Sequence, residues 1–490
     1  MSAVPPPSAR ASISREQWLI TSAVMAGLAV AALDATVVAT AMPTIVGNLG
    51  GVGRYGWVFS AYLLTATTTV PLFARLSDMR GRRPVFLAGL ALFVLGSVLC
   101  GLSGSVTQLI LFRAVQGLGA GAVQPVALTI IGDIFEPEVR ARMQGMFASV
   151  WGVSAVAGPA LGGWITTSIG WRWVFFVNVP VGAAAATMLV IALREDVSGR
   201  RHRLDWVGAA TLSGAILLLL LAVSEVGGRM GWSSGLFVGM LAGAAGLATA
   251  FVRLELRTAE PLIDLTLLRR PLLAAGLSLQ VLAGGVLFGL QGYVPPMIQG
   301  VHGRTPLAAG AAVAAMSIGW PVASVIAGRW LVRSGSRTPV LAGVVALVTG
   351  TLLLTQLQHV AALGYAVLAS AVVGLGMGFM NTTIMVAVQS GVEWQRRGVA
   401  TGLVQFSRTI GGAVGVGLLG AVLSAHAGPE ASALLRGDRA GGLEEAAQGL
   451  ASGLTIIYVA LVAMAVVAAG VAIRWMPSVD VRGQGQPQRG

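Results

Sequence analysis

Long apolar runs, separated by short polar stretches rich in arginine, recur from one end of the 490-residue chain to the other. Each spans about 19–29 residues, enough to cross ~30 Å of hydrocarbon at 1.5 Å per helical residue. This pattern predicts fourteen membrane-spanning helices, at roughly 18–42, 56–74, 84–102, 107–135, 144–168, 173–193, 206–224, 234–252, 271–295, 307–331, 339–357, 361–389, 399–424 and 453–475. The one sizeable loop on the far side runs from Ala425 to about Ser452, and residues 1–17 form a proline-bearing tail expected to be disordered. Ala39-Thr40-Ala41 after the first span resembles a signal-peptidase site, but the span is too long and the following spans too many, so it is expected to stay uncleaved.

Composition supports the pattern. Hydrophobic residues make up 55% of the chain and charged residues 10%, with mean hydropathy +0.80. A soluble domain carries roughly 25% charged residues, so this chain lacks the polar surface to stay in water. The formal net charge of +13 invites a nucleic-acid reading, which the placement of the arginines removes. About 24 of them fall in the tails and the even-numbered connections, six on the opposite side and two inside spans. That asymmetry places both termini in the cytoplasm. The chain has no lysine, four scattered histidines and one cysteine. A Walker-A loop needs its lysine, a zinc site needs clustered ligands and a disulfide needs two thiols. No cofactor, metal site or catalytic residue is therefore expected.

The chain also repeats itself. Gly117, Gly119 and Gly121 in the fourth span match Gly374, Gly376 and Gly378 in the twelfth, and the same offset carries Gln124 onto Asn381 and Gly158 onto Gly415. Arg75, Gly81 and Arg83 match Arg329, Gly335 and Arg337. The copies share one membrane orientation, so they form two parallel six-helix halves, residues 18–193 and 271–475. An inserted helix pair at 194–270, expected to be peripheral, joins them, and residues 476–490 form a second cytoplasmic tail. Two six-helix halves related along the membrane normal are a transporter arrangement.

Six segments in order carry a resemblance to a known family: Leu33-Asp34-Ala35-Thr36-Val37-Val38; Trp57 through Leu64; Arg75-Leu76-Ser77-Asp78-Met79-Arg80-Gly81-Arg82-Arg83; Arg113-Ala114-Val115-Gln116-Gly117-Leu118-Gly119; Gly152 through Gly163; and Trp171 through Pro180. Together they resemble the fourteen-helix drug:proton antiporters of the major facilitator superfamily. The resemblance implies an all-α integral membrane fold of 6+2+6 helices. It also implies a conformational latch at Asp78, Gly81, Arg82 and Arg83, and an antiporter element at Gly152, Gly158, Pro159, Gly162 and Gly163. The latch belongs to the first half, because the second copy has Val332 where Asp78 stands. The plainer readings are a topology-setting basic loop and a small-residue packing face.

Asp34 is the one carboxylate placed deep within a predicted span. Burying it ionised and alone costs on the order of 2.5–3.5 kcal/mol on insertion scales. Arg113, in the fourth span, falls at a similar expected depth. The pair is read either as the proton-coupling site, with Arg113 holding the charge of Asp34 until proton or substrate arrives, or as a static structural ion pair. Arg408 is the other charge within a span, and no acidic partner is expected for it. It attracts an anionic group of substrate or lipid, or caps helix carbonyls; both readings stay open. Tyr62, Gln124, Gln291, Gln299, Trp320, Met377, Met380 and Asn381 are expected to complete a substrate cleft, Met and Trp giving an adaptable apolar wall.

The expected function is proton-coupled export of lipophilic or amphipathic compounds across a bacterial cytoplasmic membrane, by a chain for which a monomer suffices. Its expected partners are protons, a small-molecule substrate and the bilayer. The absence of a second acid in spans 9–14 argues against dications and fits monocations or neutral lipophiles. The alternatives are export of one lipid or secondary metabolite and, more remotely, a non-transporting sensor or scaffold.

Overall fold

The computed structural model describes residues 14–135, 137–193, 206–226, 234–258, 268–392, 397–427, 431–436 and 444–479. The described residues form sixteen helices: α1 (Arg15–Leu49), α2 (Tyr55–Arg80), α3 (Arg82–Leu102), α4 (Val106–Ile134), α5 (Pro137–Ser168), α6 (Trp173–Phe176), α7 (Asn178–Ala192), α8 (Trp206–Val226), α9 (Gly235–Glu255), α10 (Pro271–Pro296), α11 (Pro306–Ser334), α12 (Arg337–Thr355), α13 (Leu363–Ser390), α14 (Arg397–His426), α15 (Ala431–Arg436) and α16 (Glu444–Trp475). Helices α6 and α7 make one pass and α15 is a short surface helix, which leaves the fourteen passes read from the sequence. Among the described residues, eleven passes are long and apolar enough to cross a membrane on their own composition.

Local chemistry sets the boundaries. Ser14 caps α1 and forms a reciprocal capping box with Gln17, while Ser105 and Thr305 cap α4 and α11 through their side chains. Gly81 and Gly335 break the chain between α2 and α3 and between α11 and α12, with φ of 96° and 74°. An L side chain is strained there, so both copies of the repeat need glycine at the same turn.

The repeat reappears as packing. A β-carbon added at Gly117 or Gly121 would strike α2 at Tyr62, Thr65, Ala66 and Thr69, whereas one at Gly119 would strike α3 at Gly89 and Phe93. In the second half, Gly374 and Gly378 face α11 at Met316 and Trp320, and Gly376 faces α12 at Gly343 and Leu347. Thus α4 lies between α2 and α3 as α13 lies between α11 and α12, with backbones brought together by missing side chains.

The halves meet at the end of the bundle where α1 turns into α2. There Thr44 Oγ1 donates to Gln299 Oε1 at 3.1 Å, and Gln299 Nε2 donates to the Thr40 carbonyl at 2.9 Å. Tyr55 Oη donates to the Gly292 carbonyl at 2.7 Å and Ser60 Oγ to the Ala413 carbonyl at 3.0 Å. Gly56 lies against Val416 and Gly420 of α14, and Gly163 of α5 against Leu307 of α11.

Three expectations need correction. Helix α1 does not stop at residue 42 but continues through Pro43 to Leu49. Asp34 therefore lies fifteen residues, or ~22 Å, from its end rather than eight. The long loop after α14 is largely helical, since α15 docks with Ala431, Leu434 and Leu435 buried and α16 begins at Glu444. The inserted pair is not wholly peripheral. Ile216 and Leu212 of α8 pack with Trp57 and Leu64 of α2 and with Ile410 and Val414 of α14, so α8 lies over the seam between halves. Helix α9 packs on α8 through Leu247 beside Gly214 and Leu218 beside Gly243.

Candidate functional site

Asp34 and Arg113 meet inside the first half. Arg113 Nη1 donates to Asp34 Oδ2 at 2.5 Å, with both side chains almost wholly buried, at 2% and 0% exposure respectively. Two further donors hold the other carboxylate oxygen: Gln116 Nε2 at 2.9 Å and Asn178 Nδ2 at 3.0 Å both reach Oδ1. Gln116 Oε1 in turn accepts from Arg113 Nη1 at 2.7 Å. Asn178 also donates to Ser97 Oγ at 2.9 Å, and Ser97 Oγ donates to the Phe175 carbonyl at 2.9 Å. The Tyr62 ring covers the guanidinium, 4.0 Å from Arg113 Cζ to its centroid.

Five passes thus supply the cage: α1 gives Asp34, α2 Tyr62, α3 Ser97, α4 Arg113 and Gln116, and α7 Asn178. A buried ion pair is tolerated only when further hydrogen bonds satisfy its atoms, which the two amides accomplish. Every neighbour bonded to the carboxylate donates. A protonated Asp34 would need an acceptor; of the two amide oxygens in the cage, Gln116 Oε1 is engaged by Arg113, and Asn178 turns its nitrogen rather than its oxygen to the carboxylate. Adding a proton therefore calls for rearrangement among α1, α4 and α7.

Sequence reasoning quoted Gln116 and Asn178 within segments but assigned neither a role, and it passed over Ser97. Gln116 follows Arg113 by three residues and so shares its helix face, a usable signal. Asn178 and Ser97 gave none, because nothing local shows which neighbour a polar residue within a span will meet.

At the loop between α2 and α3, the Asp78 side chain lies outside the described residues. Arg82 Nε pairs with Asp133 near the end of α4 at 2.9 Å and Arg82 Nη1 donates to the Ser77 carbonyl at 2.8 Å. Arg83 Nη2 donates to the Val190 carbonyl of α7 at 2.9 Å. These contacts tie α2, α3, α4 and α7 together within one half.

The glycines of α5 do not share one face. Gly158 and Gly162 lie against Thr36 and Val37 of α1, Gly163 and the Pro159 carbonyl lie against α11, and Gly152 has open space around it. Thr36 Oγ1 also donates to the Ser154 carbonyl at 3.0 Å.

Apart from Tyr62, which belongs to the cage, the expected cleft residues separate into four groups. Gln299, carried on a π-helical stretch at Met297–Val301, belongs to the seam described above. Met377 and Met380 are almost wholly buried in the core of the second half and form no cleft wall; Met380 packs against Gly343 of α12. Asn381, Trp320 and Arg408 do come together. Arg408 Nη1 donates to Asn381 Oδ1 at 3.1 Å and Nη2 to Gln405 Oε1 at 2.8 Å, with Trp320 facing the guanidinium at 5.5 Å. Gln280 Nε2 donates to the same Asn381 oxygen at 3.1 Å. Gln124 and Gln291 are half-buried on α4 and α10.

Residues 24–416 match the sequence profile of the Major Facilitator Superfamily. The chain belongs to this superfamily. It is 37% identical over 396 residues to Multidrug resistance protein 3 of Bacillus subtilis (strain 168), covering 81% of this chain and 77% of that one. It is 31% identical over 417 residues to the Tetracenomycin C resistance and export protein of Streptomyces glaucescens, covering 84% and 77%. Among solved structures, a bacterial homologue of the human lysosomal transporter Spinster, in an inward-facing and unoccupied conformation, superposes with a TM-score of 0.64 at 16% identity, covering 95% of this chain and all of that one. That likeness concerns the fold. As a major facilitator, the chain is a multi-pass membrane protein of a transporter family.

Proposed function

We propose that the chain is a proton-coupled antiporter that exports lipophilic or amphipathic compounds by alternating access. It works as a monomer in a bacterial cytoplasmic membrane with both termini inside. The observation that carries the proposal is the Asp34 cage. A membrane-buried carboxylate held by three donors from two other passes is a group whose protonation and helix arrangement depend on one another, as coupling requires. The relatives named for multidrug resistance and for tetracenomycin C resistance and export support export as the direction.

In the proposed orientation the joined α1–α2 end faces outward, and this form is open to the cytoplasm. Substrate enters the space between halves. The carrier turns outward with substrate while Asp34 is ionised. A proton arriving at Asp34 from the outer side then breaks the Arg113–Gln116–Asn178 arrangement, shifts α1 and α4 against α7 and releases the substrate, and the proton leaves to the cytoplasm on return. The latch at Asp78, Gly81, Arg82 and Arg83 stiffens the first half as it rocks, and the α5 glycines keep α1 and α11 at close approach. The tetracenomycin relative favours a second reading, export of a single metabolite.

The test is efflux of a cationic dye (ethidium), a neutral dye and an anionic dye from energised cells, wild type against Asp34→Asn, with and without a protonophore. Efflux that needs both Asp34 and the gradient is expected. Undiminished efflux by well-expressed Asp34→Asn would sink the coupling assignment.

A further inference from the structure

The second half contains a charge that the proton site does not use. Arg408 sits five residues before Ala413, where α14 meets Ser60 of the first half, a distance of ~7.5 Å along the helix toward the opposite end of the bundle. A cation at that depth is costly unless something answers it. Among the described residues no carboxylate does so, and its hydrogen-bond partners are two amide oxygens.

The hydrogen-bond pattern says what is missing. Arg408 only donates, so the Asn381 and Gln405 atoms facing it must be oxygens, which leaves both amide nitrogens pointing elsewhere. Asn381 Oδ1 accepts from Gln280 as well, which fixes that amide from two sides. Among the described residues, Asn381 Nδ2, Gln405 Nε2 and the remaining guanidinium N–H groups have no acceptor. Arg408, Asn381, Gln405 and Trp320 are half-exposed, whereas Gln280 is buried with its Oε1 unpartnered. Helices α13 and α14 thus present a cluster of donors around one cation, held from α10 by Gln280 and backed by the indole face of Trp320 on α11. Neither capping of helix carbonyls nor a static ion pair accounts for it, since the bonds run to side-chain amides and leave donors over.

We propose that Arg408, with Asn381 and Gln405, is the docking point for an anionic oxygen group, a carboxylate or phosphate, of an amphiphile whose apolar part lies against Trp320. The inference deepens the export reading by naming a substrate class, and it rests on that reading. The occupant is either a free amphiphilic acid or an anionic lipid headgroup; the recognition chemistry is the same.

The experiment is equilibrium binding of dansylglycine and of its neutral amide to the full chain in phosphatidylcholine nanodiscs at pH 8, read by energy transfer from tryptophan. Wild type should bind the acid at least tenfold more tightly than the amide. Arg408→Gln should lose that preference with its binding of the amide kept, and Arg408→Lys should restore part of it. Amide binding by the Gln variant and its elution as a monodisperse peak show that it has folded. Nanodiscs containing phosphatidylglycerol separate the sources. If a lipid headgroup is the occupant, the wild-type preference collapses by competition, and phosphatidylglycerol is retained through purification by wild type alone. If the occupant is a free acid, the preference persists. Equal binding of acid and amide by wild type, absence of saturable acid binding, or an undiminished preference in Arg408→Gln would overturn the proposal. Binding needs no gradient, so its failure is distinguishable from failure of the Asp34 efflux test.

Discussion

Gln116 bridges Asp34 and Arg113, accepting from the guanidinium with its oxygen and donating to the carboxylate with its nitrogen. The ion pair is therefore one edge of a closed triangle. Replacing Gln116 by Leu removes a donor from Asp34 and an acceptor from Arg113 at once. Leaving buried polar groups unanswered costs about 1–3 kcal/mol. Efflux by Gln116→Leu is expected to fall roughly ten- to hundredfold, since each 1.4 kcal/mol is tenfold in a rate. Efflux at wild-type rate from an equal amount of protein would show that the amide is dispensable.

The α5 glycines should separate under mutation even though they belong to one sequence element. A β-carbon at Gly158 runs into Thr36 of α1, and one at Gly152 meets nothing within 4 Å. Overpacking costs typically 1–3 kcal/mol, so Gly158→Val should lower the melting temperature in detergent by several degrees and impair efflux. Gly152→Ala should leave both close to wild type. Equal sensitivity at the two positions would mean that Gly152 faces something the helix packing does not reveal.

These glycines illustrate how much of the molecule is legible in its sequence. Wherever backbones touch, the missing side chain leaves a trace in the letters, which is why the Gly117–Gly119–Gly121 and Gly374–Gly376–Gly378 copies exposed the repeat and, through it, the two halves. Asp34 and Arg113 were legible because charge within lipid demands an answer. Met377 and Met380 were misplaced because a methionine within a span suits a cleft wall and a packed core equally, so composition does not tell one from the other. Gln299 was misplaced because α10 continues past Pro295 and Pro296 into a π-helical stretch, which carries that side chain to Thr40 and Thr44. The end of α1 was set too early, one residue before Pro43, whereas proline is tolerated within a membrane helix whose neighbours satisfy the freed groups.

His302 provides a pH dependence away from the proton site. It lies just past the π-helical stretch after α10, with Nε2 at 2.9 Å from the Leu357 carbonyl. Burial, aided by the charge of Arg304, lowers its pKa below the usual 6.5, against the opposing pull of that carbonyl. The unfolded chain therefore binds the proton more readily than the folded one. This contribution to stability is present in full above pH 6.5 and declines as the pH falls through 6.5 toward the folded value. The melting temperature should drop modestly between pH 7.5 and pH 5, and His302→Gln should lose part of that drop. An identical pH profile in the variant would assign the dependence to other groups.

The seam at the α1–α2 end offers a direct test of alternating access. A β-carbon at Gly53, in the short turn between α1 and α2, would lie 3.7 Å from the Ser424 β-carbon of α14 and 2.8 Å from the Ser424 hydroxyl oxygen, the end of a side chain that can rotate away. Disulfides favour a Cβ–Cβ separation of about 3.8 Å, and Gly53 is not among the glycines with positive φ, so cysteine fits its backbone. The one native thiol, Cys100, is fully buried and is not expected to compete. The Gly53→Cys, Ser424→Cys pair should therefore oxidise readily, pinning the first half to the second where they already touch. If transport requires this end to open, efflux should stop on oxidation and return on reduction, while each single variant remains active throughout. A cross-linked protein that still exports at wild-type rate would mean that the halves need not part here, and that the substrate leaves by another route.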